Sequence, residues 1–519
     1  MVEIKKEGLE EALGNQNPVA QPQASPMSKE QEFSFHQGAQ KAQTWGDIMK
    51  KKFSFLFYFL LGFLSFVWLI LRSGTKPSRI DYPCQKMAAI YTKQWFGIFL
   101  LPVLGLGFFK KNEKTIFLAV SAIFLIFLIF FLSNFQKTEA EDPLPLQITS
   151  YQNTNASSDI FVLKNTDGDE VADLISIMEE EGFFFYKTET SPQGLIGKDD
   201  VVLLKVNSQW PERGGTNTDL VKSLITQICN HPLGFEGEII IADNGQGVGS
   251  LSWKKSNAKD ISQSMEKVAE YFKEDYKVST YLWDEIREKE VGEYEKGDME
   301  DGYVVEDGED EDTGIIISYP KFKSRFGTFV SFKKGIFDAD KGDYEKDRLK
   351  IINMPVLKSH FIYGTTGAIK NYMGVPANEL TGGNPHNSVG SGGMATLMTM
   401  TRMPVLHIVD AIWTNPHGGP SSSYEDALMT RTILAGADPV ALDFWGAKNI
   451  LLPSVDPDRE DFKSGFTPDM MDPDNLQKSK AFGYWLELTL SEFRRNGYNF
   501  TKDPEKIRVH MKGPETQDM

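Results

Sequence analysis

The stretch 200–206, DVVLLKV, gives the clearest indication of the fold class. Its apolar residues run almost without a break, which is typical of a strand that is buried on both faces of a parallel sheet. A helical pattern follows at 218–229, with Thr216 or Asn217 as its N-cap, and the stretch 238–242, EIIIA, predicts the next strand. A strand, a helix and a second strand in this order favour a right-handed βαβ unit. We therefore predict an α/β fold with a mostly parallel sheet flanked by helices.

The same alternation extends to both sides of this unit. Further strands are predicted at 159–163 and 405–412. An acidic insertion at about 284–313 interrupts the pattern, and nine Asp and Glu residues fall within 298–312. They lack the spacing of an EF-hand, so a solvated insertion is the better interpretation. Residues 151–519 are therefore predicted to form one α/β domain.

Long apolar runs precede this domain. The runs 53–71 and 115–135 are uncharged and long enough to span a bilayer. A shorter run at 95–109 contains Pro102, and it is either a third, kinked span or a re-entrant segment. Two to three transmembrane helices are therefore predicted. The order of the N-terminal regions is a disordered polar tail (1–50), a transmembrane region (51–136) and a linker (137–150).

The basic residues beside the spans indicate the orientation. With three spans, seven Lys and Arg residues flank the N-terminal side and six flank the far side. With two spans, eight lie in the loop between them and five on the outer flanks. Because basic residues favour the cytoplasm, both arrangements place the C-terminal domain outside it. The chain is thus predicted to be an integral membrane protein with an extracytoplasmic domain.

Charge and cysteine content exclude several classes of function. The 55 Lys and Arg residues against 72 Asp and Glu give a net charge of −17, which argues against nucleic-acid binding. The two cysteines, Cys84 and Cys229, are too few for an iron–sulfur cluster, a disulfide framework or a Cys-rich zinc site. A divalent metal held by carboxylates and histidines stays open.

The stretch 351–376, IINMPVLKSHFIYGTTGAIKNYMGVP, carries the first set of candidate site residues. It begins as a buried strand and then presents Lys358 and His360, followed by Lys370 and Asn371. Such residues at the carboxyl end of a strand suit an anionic ligand, a carboxylate or a phosphate. The glycines match neither a P-loop nor a dinucleotide fingerprint. Surface lysines remain the alternative interpretation.

A second set follows in the stretch 405–420, VLHIVDAIWTNPHGGP. Asp410 and His417 lie near the end of its strand and are predicted as an acid/base pair or as metal ligands. Asp438 and Asp443 lie at the start of a later helix and are assigned to ligand binding. For Asp438, a helix N-cap is the competing interpretation.

The sequence resembles the DUF362 family, a prokaryotic domain of undefined function. The blocks that carry the resemblance, VVLLKVN, INMPVLKSH…GAIKNYMG, HIVDAI…GGP and ILAGADPVALDFWGA, cover about 200–450. The resemblance implies that the membrane is a prokaryotic cytoplasmic membrane. It also implies that the following candidate residues belong to the family pattern: Lys358, His360, Lys370, Asn371, Asp410, Asp438 and Asp443. Many relatives append a ferredoxin-like module, whose cysteines this chain lacks, so no iron–sulfur cluster is expected.

Two functions of different classes remain. The first is a membrane-anchored domain that binds an anionic small molecule, with or without a divalent metal, and in which His360, His417 and Asp410 are the catalytic residues if it is an enzyme. The second is a non-catalytic membrane assembly or interaction protein that docks a protein partner through the helix predicted at 482–493 and the acidic insertion. The arrangement of four residues distinguishes the two functions: convergence in one concave pocket favours the first, and dispersal over the surface favours the second. These residues are Lys358, Lys370, Asp410 and His417.

Overall fold

The structure is a computed structural model that describes residues 65–66, 92, 157–247, 249–251, 253–254, 258–419, 426–460, 462–463 and 465–513. The chain divides into two compact units, and the second, Ala140–Met519, contains the α/β fold. The predicted tail and linker, Cys84 and nearly all of the predicted spans lie outside the described residues. Among the residues that are described, no helix combines the length and the apolar character that crossing a bilayer requires.

Fifteen strands are present in the described part of the second unit, and eight of them form its central sheet. The sheet order is β15-β1-β14-β13-β10-β2-β3-β4. The strands are β1 (Ser158–Lys164), β2 (Val201–Lys205), β3 (Glu238–Asp243), β4 (Lys277–Leu282), β5 (Gly302–Val305), β6 (Ser318–Lys323), β7 (Phe329–Ser331), β8 (Gly335–Asp338), β9 (Asp343–Glu345), β10 (Leu349–Asn353), β11 (Lys358–His360), β12 (Gly364–Thr366), β13 (Leu406–Thr414), β14 (Leu428–Gly436) and β15 (Ile507–Lys512).

The central sheet is mostly parallel, as the sequence predicts. Strands β13, β10, β2, β3 and β4 pair in parallel, and so do β1 and β15. Strand β14 is antiparallel to both of its neighbours. The carboxyl ends of β10, β2 and β3 therefore lie side by side at one edge of the sheet.

Helices cover both faces of the sheet. Along β2, Val201 and Leu203 pack on one face, whereas Val202 and Leu204 pack on the other. This burial on both faces is why the strand reads as a continuous apolar run. The helices are α1 (Val171–Glu180), α2 (Thr218–Cys229), α3 (Met265–Phe272), α4 (Ala368–Asn371), α5 (Asn384–Ser388), α6 (Gly393–Met400), α7 (Pro439–Gly446) and α8 (Phe482–Arg495).

The first three helices lie against one face and the later ones against the other, since their buried residues belong to two separate cores. Of the two predicted N-caps for α2, the structure selects Asn217, whose side chain accepts a hydrogen bond from the amide of Asp219. The apolar side of α8, including Trp485 and Phe493, is buried in the domain's own core.

The insertion between β4 and β10 forms an antiparallel sheet of β5 to β9. It extends past the acidic stretch predicted at 284–313, because the acidic residues mark only its first strand and the adjoining turns. Tyr303 and Phe322 of this sheet, and Phe332 directly after β7, are fully buried and join the core on one face of the central sheet. The insertion therefore packs onto the α/β domain.

Candidate functional site

A cleft lies at the edge of the central sheet where β2, β3 and β10 end. Its empty space is about 340 Å³, including the part that is open to solvent. Strands β2 and β3 contribute their last residues, and the ribbon β11–β12 and helix α4 close the opposite side. The residues that line the cleft are Lys205, Asn207, Gln209, Trp210, Asp243, Asn244, Gln246, Lys358, Thr366, Lys370, Asn371, Met373 and Gly374.

A buried ion pair forms the floor of the cleft. The Nζ atom of Lys205 lies 2.6 Å from Oδ1 of Asp243, and both side chains are almost fully buried. Asp243 Oδ2 accepts hydrogen bonds from the amide and the hydroxyl of Ser208 at 2.6 and 2.9 Å. Gly374 lies directly on this pair, since a Cβ atom at that position would be 2.4 Å from Asp243 Oδ1. The chain can pass this close only without a side chain.

Lys358 is held within the protein by its own hydrogen bonds. It is 1 % exposed, and its Nζ donates to the carbonyl of Gly214 and, at 3.4 Å, to Oδ1 of Asn207. Burial and the neighbouring charge of Lys370 lower its pKa to about 7, although Asp243 and Asp410 oppose the shift. Lys358 is thus a buried amine whose charged form still has acceptors.

Lys370 is the contrasting case. It is 8 % exposed, and its ammonium has neither a hydrogen-bond acceptor nor a carboxylate partner among the described residues. Its Nζ lies 5.7 Å from the centre of the Tyr363 ring. Burial lowers the pKa of Lys370 to about 7. Thr366 also lines the cleft, is 4 % exposed and has a hydroxyl without a partner in the part of the chain that is described.

A chain of asparagine amides fixes the polar wall beside the lysines. Asn207 Nδ2 donates to Oδ1 of Asn371 at 3.1 Å, and Asn371 Nδ2 donates to Oδ1 of Asn353 at 2.8 Å. Asn353 Nδ2 then donates to the carbonyl of Ala368 and contacts Nδ1 of His407. These hydrogen bonds connect the ends of β2 and β10 with α4, so the wall is rigid.

His360 lies next to the cleft on β11. Its Nδ1 accepts hydrogen bonds from the amides of Ile362 and Tyr363 at 3.2 Å, so the proton of the neutral ring lies on Nε2. Burial, together with the charge of Lys370, holds the pKa of His360 well below its usual range. His386, whose ring centre is 6.2 Å away, has its pKa lowered to about 3 by burial.

The two aspartates at the later helix, Asp438 and Asp443, accept hydrogen bonds from backbone amides. Asp438 caps α7, because its Oδ1 accepts from the amides of Val440 and Ala441 at 2.8 and 3.1 Å. Asp443 Oδ1 and Oδ2 accept from the amides of Ala368 and Ile369 at 2.6 and 2.9 Å. Asp443 therefore supports the start of α4, the helix that carries Lys370. Neither aspartate lines the cleft, although both were predicted as ligand-binding residues.

Asp410 and His417 are not among the residues that line the cleft, although the charge of Asp410 acts on Lys358. The carboxylate of Asp410 is fully buried and accepts from the amides of Asn217 and Ile412 at 2.8 and 3.0 Å, so it anchors the start of α2. His417 Nδ1 faces a guanidinium nitrogen of Arg459 at 3.1 Å. The structure therefore sets Asp410 against backbone amides rather than against the ring of His417.

Of the predicted residues, the cleft brings together Lys358, Lys370 and Asn371, with His360 beside them. Sequence reasoning missed Lys205 and Asp243, although each carried a signal. Lys205 is a charged residue within an apolar strand, and such a residue needs a buried partner. The 38 positions that separate it from Asp243 conceal the pairing until both strands are placed in one sheet.

The described residues contain no group of three or more His, Cys, Asp or Glu side chains that could hold a metal ion. The one cysteine among them, Cys229, is buried in helix α2, and burial raises the pKa of its thiol to about 12.

Part of the chain that forms the cleft matches a known family model. The family model described as "Domain of unknown function (DUF362)" matches residues 346–448, so this segment is DUF362-like, as predicted. The match runs from just before β10 to just after α7. It contains Lys358, His360, Lys370 and Asn371, whereas Lys205 and Asp243 precede it. No curated protein and no solved structure gives a match to the chain.

Proposed function

We propose that the domain binds an anionic small molecule, a carboxylate or a phosphate, in the cleft at the carboxyl ends of β2, β3 and β10. The observation that carries the proposal is Lys370, an ammonium group that is nine-tenths buried without a partner among the described residues. A buried charge without a partner is costly, and an anion in the cleft would relieve that cost.

The composition of the lining supports this choice of ligand. Three lysines, Lys205, Lys358 and Lys370, face a single carboxylate, Asp243. Because Lys205 already pairs with Asp243, the other two amines remain to neutralise a ligand. The hydroxyl of Thr366, which has no partner among the described residues, is a further donor. Basic side chains therefore outnumber acidic ones in this cleft, which suits an oxyanion rather than a cation.

Binding should take up protons. The pKa values of Lys358 and Lys370 are lowered to about 7, so both amines are largely neutral at pH 8. An anion placed between them favours the charged forms and raises both pKa values. Protons from the buffer must then accompany the ligand.

The test is a calorimetric titration of inorganic phosphate, and separately of malonate, into the purified full-length chain at pH 8. Two buffers that differ in ionisation enthalpy report the proton uptake. We expect one of the two anions to bind with proton uptake, and Lys370→Met to weaken it by about 10- to 100-fold, the value of one hydrogen bond to a charged group.

Lys448→Met is the matched control, since Lys448 is half-exposed and pairs with Asp474 on the surface. It should bind the anion as the wild type does. Equal affinity in Lys370→Met, Lys358→Met and the wild type would refute the site, as would the absence of binding by both anions.

The rival interaction function has less support. Its docking surface was predicted from the helix at 482–493 together with the acidic insertion, and the apolar side of that helix packs into the domain's own core. Truncating Trp485 would therefore destabilise the fold as well as any partner contact.

We also propose that the apolar runs at 53–71 and 115–135 anchor the domain to a prokaryotic cytoplasmic membrane, with the domain on the outer side. Their length and lack of charge support the proposal. The full-length chain should stay with the membrane fraction after an alkaline carbonate wash, and its release would contradict the anchor. A reporter fused after Met519 should be inactive if it works only in the cytoplasm.

A further inference from the structure

The two cleft amines differ in what their protonated forms can contact. Lys358 donates to the carbonyl of Gly214 and to Asn207, and these acceptors favour its ammonium form. Lys370 has no such acceptor among the described residues and lies against the ring of Tyr363. When a single proton is available to the pair, it therefore resides on Lys358. The amine of Lys370 is then neutral, with its lone pair free.

We propose that Lys370 forms an imine with a small carboxylate that also carries a carbonyl group, such as a 2-oxo acid, whose carboxylate is held by Lys358. This deepens the proposed function and rests on it, because the anion site positions the carbonyl. A desolvated lysine beside a second cationic group is the arrangement in which an amine becomes a nucleophile at neutral pH. The lowered pKa of Lys370 agrees with this role.

The step needs no oxidant or reductant. The nitrogen of Lys370 attacks the carbonyl carbon and forms a C–N bond, and one of its two protons passes to the carbonyl oxygen, which becomes the hydroxyl of a carbinolamine. The second proton then passes from the nitrogen to this hydroxyl, the C–O bond breaks, and water leaves as the C=N bond forms. The balance is one amine and one carbonyl giving one imine and one water.

Two neighbouring groups can donate hydrogen bonds to the reacting oxygen. The neutral ring of His360 carries its proton on Nε2, and Lys370 is the charged group that most affects its pKa. Thr366 also lines the cleft, and its hydroxyl has no partner among the described residues. Because the pKa of His360 is held well below its usual range, the ring does not give up a proton at pH 8, and the proton that leaves with the hydroxyl comes from the nitrogen of Lys370.

The experiment is reductive trapping. The purified full-length chain is incubated at pH 8 with pyruvate and cyanoborohydride, which converts an imine into a stable secondary amine. Peptide mapping by mass spectrometry then reports the labelled lysine. Because an amine of pKa about 7 is mostly neutral at pH 8 and an ordinary lysine is not, its neutral fraction is on the order of 100-fold higher. We expect Lys370 to be labelled at least about tenfold faster than Lys448.

Lys370→Arg should lose this label, whereas Lys448→Arg should keep it. Excess inorganic phosphate should slow the labelling of Lys370 in the wild type, which tests the site even if Lys370→Arg does not fold. Labelling of Lys370 at the rate of Lys448, or labelling that phosphate leaves unchanged, overturns the inference. If phosphate still binds in calorimetry while no adduct forms, the imine proposal is refuted and the anion site is retained. If neither binding nor an adduct is observed, both proposals are refuted.

Discussion

Lys370→Met should make the protein more stable, and the gain should depend on pH. Lys370 is 8 % exposed and lacks a partner among the described residues, so its charged form is costly to bury. Methionine has a similar length and no charge, so the packing should be retained.

The magnitude follows from the shift in pKa. The pKa of Lys370 falls from its ordinary value of 10.5, or 10.4 in an unfolded chain, to about 7 because of burial. At about 1.4 kcal/mol per pKa unit, the charged form costs about 5 kcal/mol in the folded state. Below pH 7 both states carry the proton, so the full cost is present. Between pH 7 and 10 the unfolded state holds more protons, and wild-type stability rises with pH.

The gain from Lys370→Met should therefore be largest below pH 7, at up to about 5 kcal/mol, and should fall to about 2 kcal/mol at pH 9. Urea titrations of the purified full-length chain at pH 6.5 and 9, followed by circular dichroism, measure both values. Lys448→Met is the control, because its surface ion pair contributes little. A variant that is no more stable than the wild type at pH 6.5, or a gain that is equal at both pH values, would show that the reasoning is wrong.

Three other substitutions test the framework of the cleft. Gly374→Ala would place a Cβ atom 2.4 Å from Asp243 Oδ1, so we expect a loss of about 1–3 kcal/mol in a urea titration, together with weaker phosphate binding. Gly367→Ala would meet Asp443 Oδ1 at 2.2 Å, and a similar loss of stability is expected. Asp438→Ala removes the N-cap of α7 and should lower the free energy of unfolding by about 1–2 kcal/mol, whereas Asp438→Asn should retain most of it. Unchanged denaturation midpoints in these variants would contradict the contacts described.

The parallel sheet could be predicted because a strand that is buried on both faces has a continuous apolar sequence. The apolar run at 201–204 and the pattern at 218–229 already specify β2 and α2. The inserted antiparallel sheet was not predicted. Its strands at 318–323 and 335–338 are short, and consecutive residues along them are buried, so no alternation of apolar and polar residues marks them as strands.

The site was harder to predict than the fold, since sequence alone does not show which way a polar group points. Asp443 and Lys370 both lie in glycine-containing stretches and both looked like ligand contacts. Asp443 turned out to hold backbone amides at the start of α4, while Lys370 on the same helix lines the cleft. Both oxygens of a carboxylate can accept hydrogen bonds from backbone amides, as those of Asp443 do. An ammonium group needs acceptors, and the side-chain acceptor on α4, Oδ1 of Asn371, is already bonded to Nδ2 of Asn207.

The three lysines of the cleft differ in the partners that the described residues offer to their ammonium groups. Lys205 has a carboxylate partner, Lys358 has a carbonyl and an amide oxygen, and Lys370 has neither among the described residues. The first therefore has an ionic partner inside the protein, the second is biased towards the ammonium, and the protonation of the third depends on the ligand. Phosphate placed beside Lys370 would favour its ammonium form, whereas a carboxylate held by Lys358 would leave the amine of Lys370 neutral. Removing Asp243 would leave Lys205 without its partner as well, so phosphate binding by Asp243→Asn should depend less on Lys370.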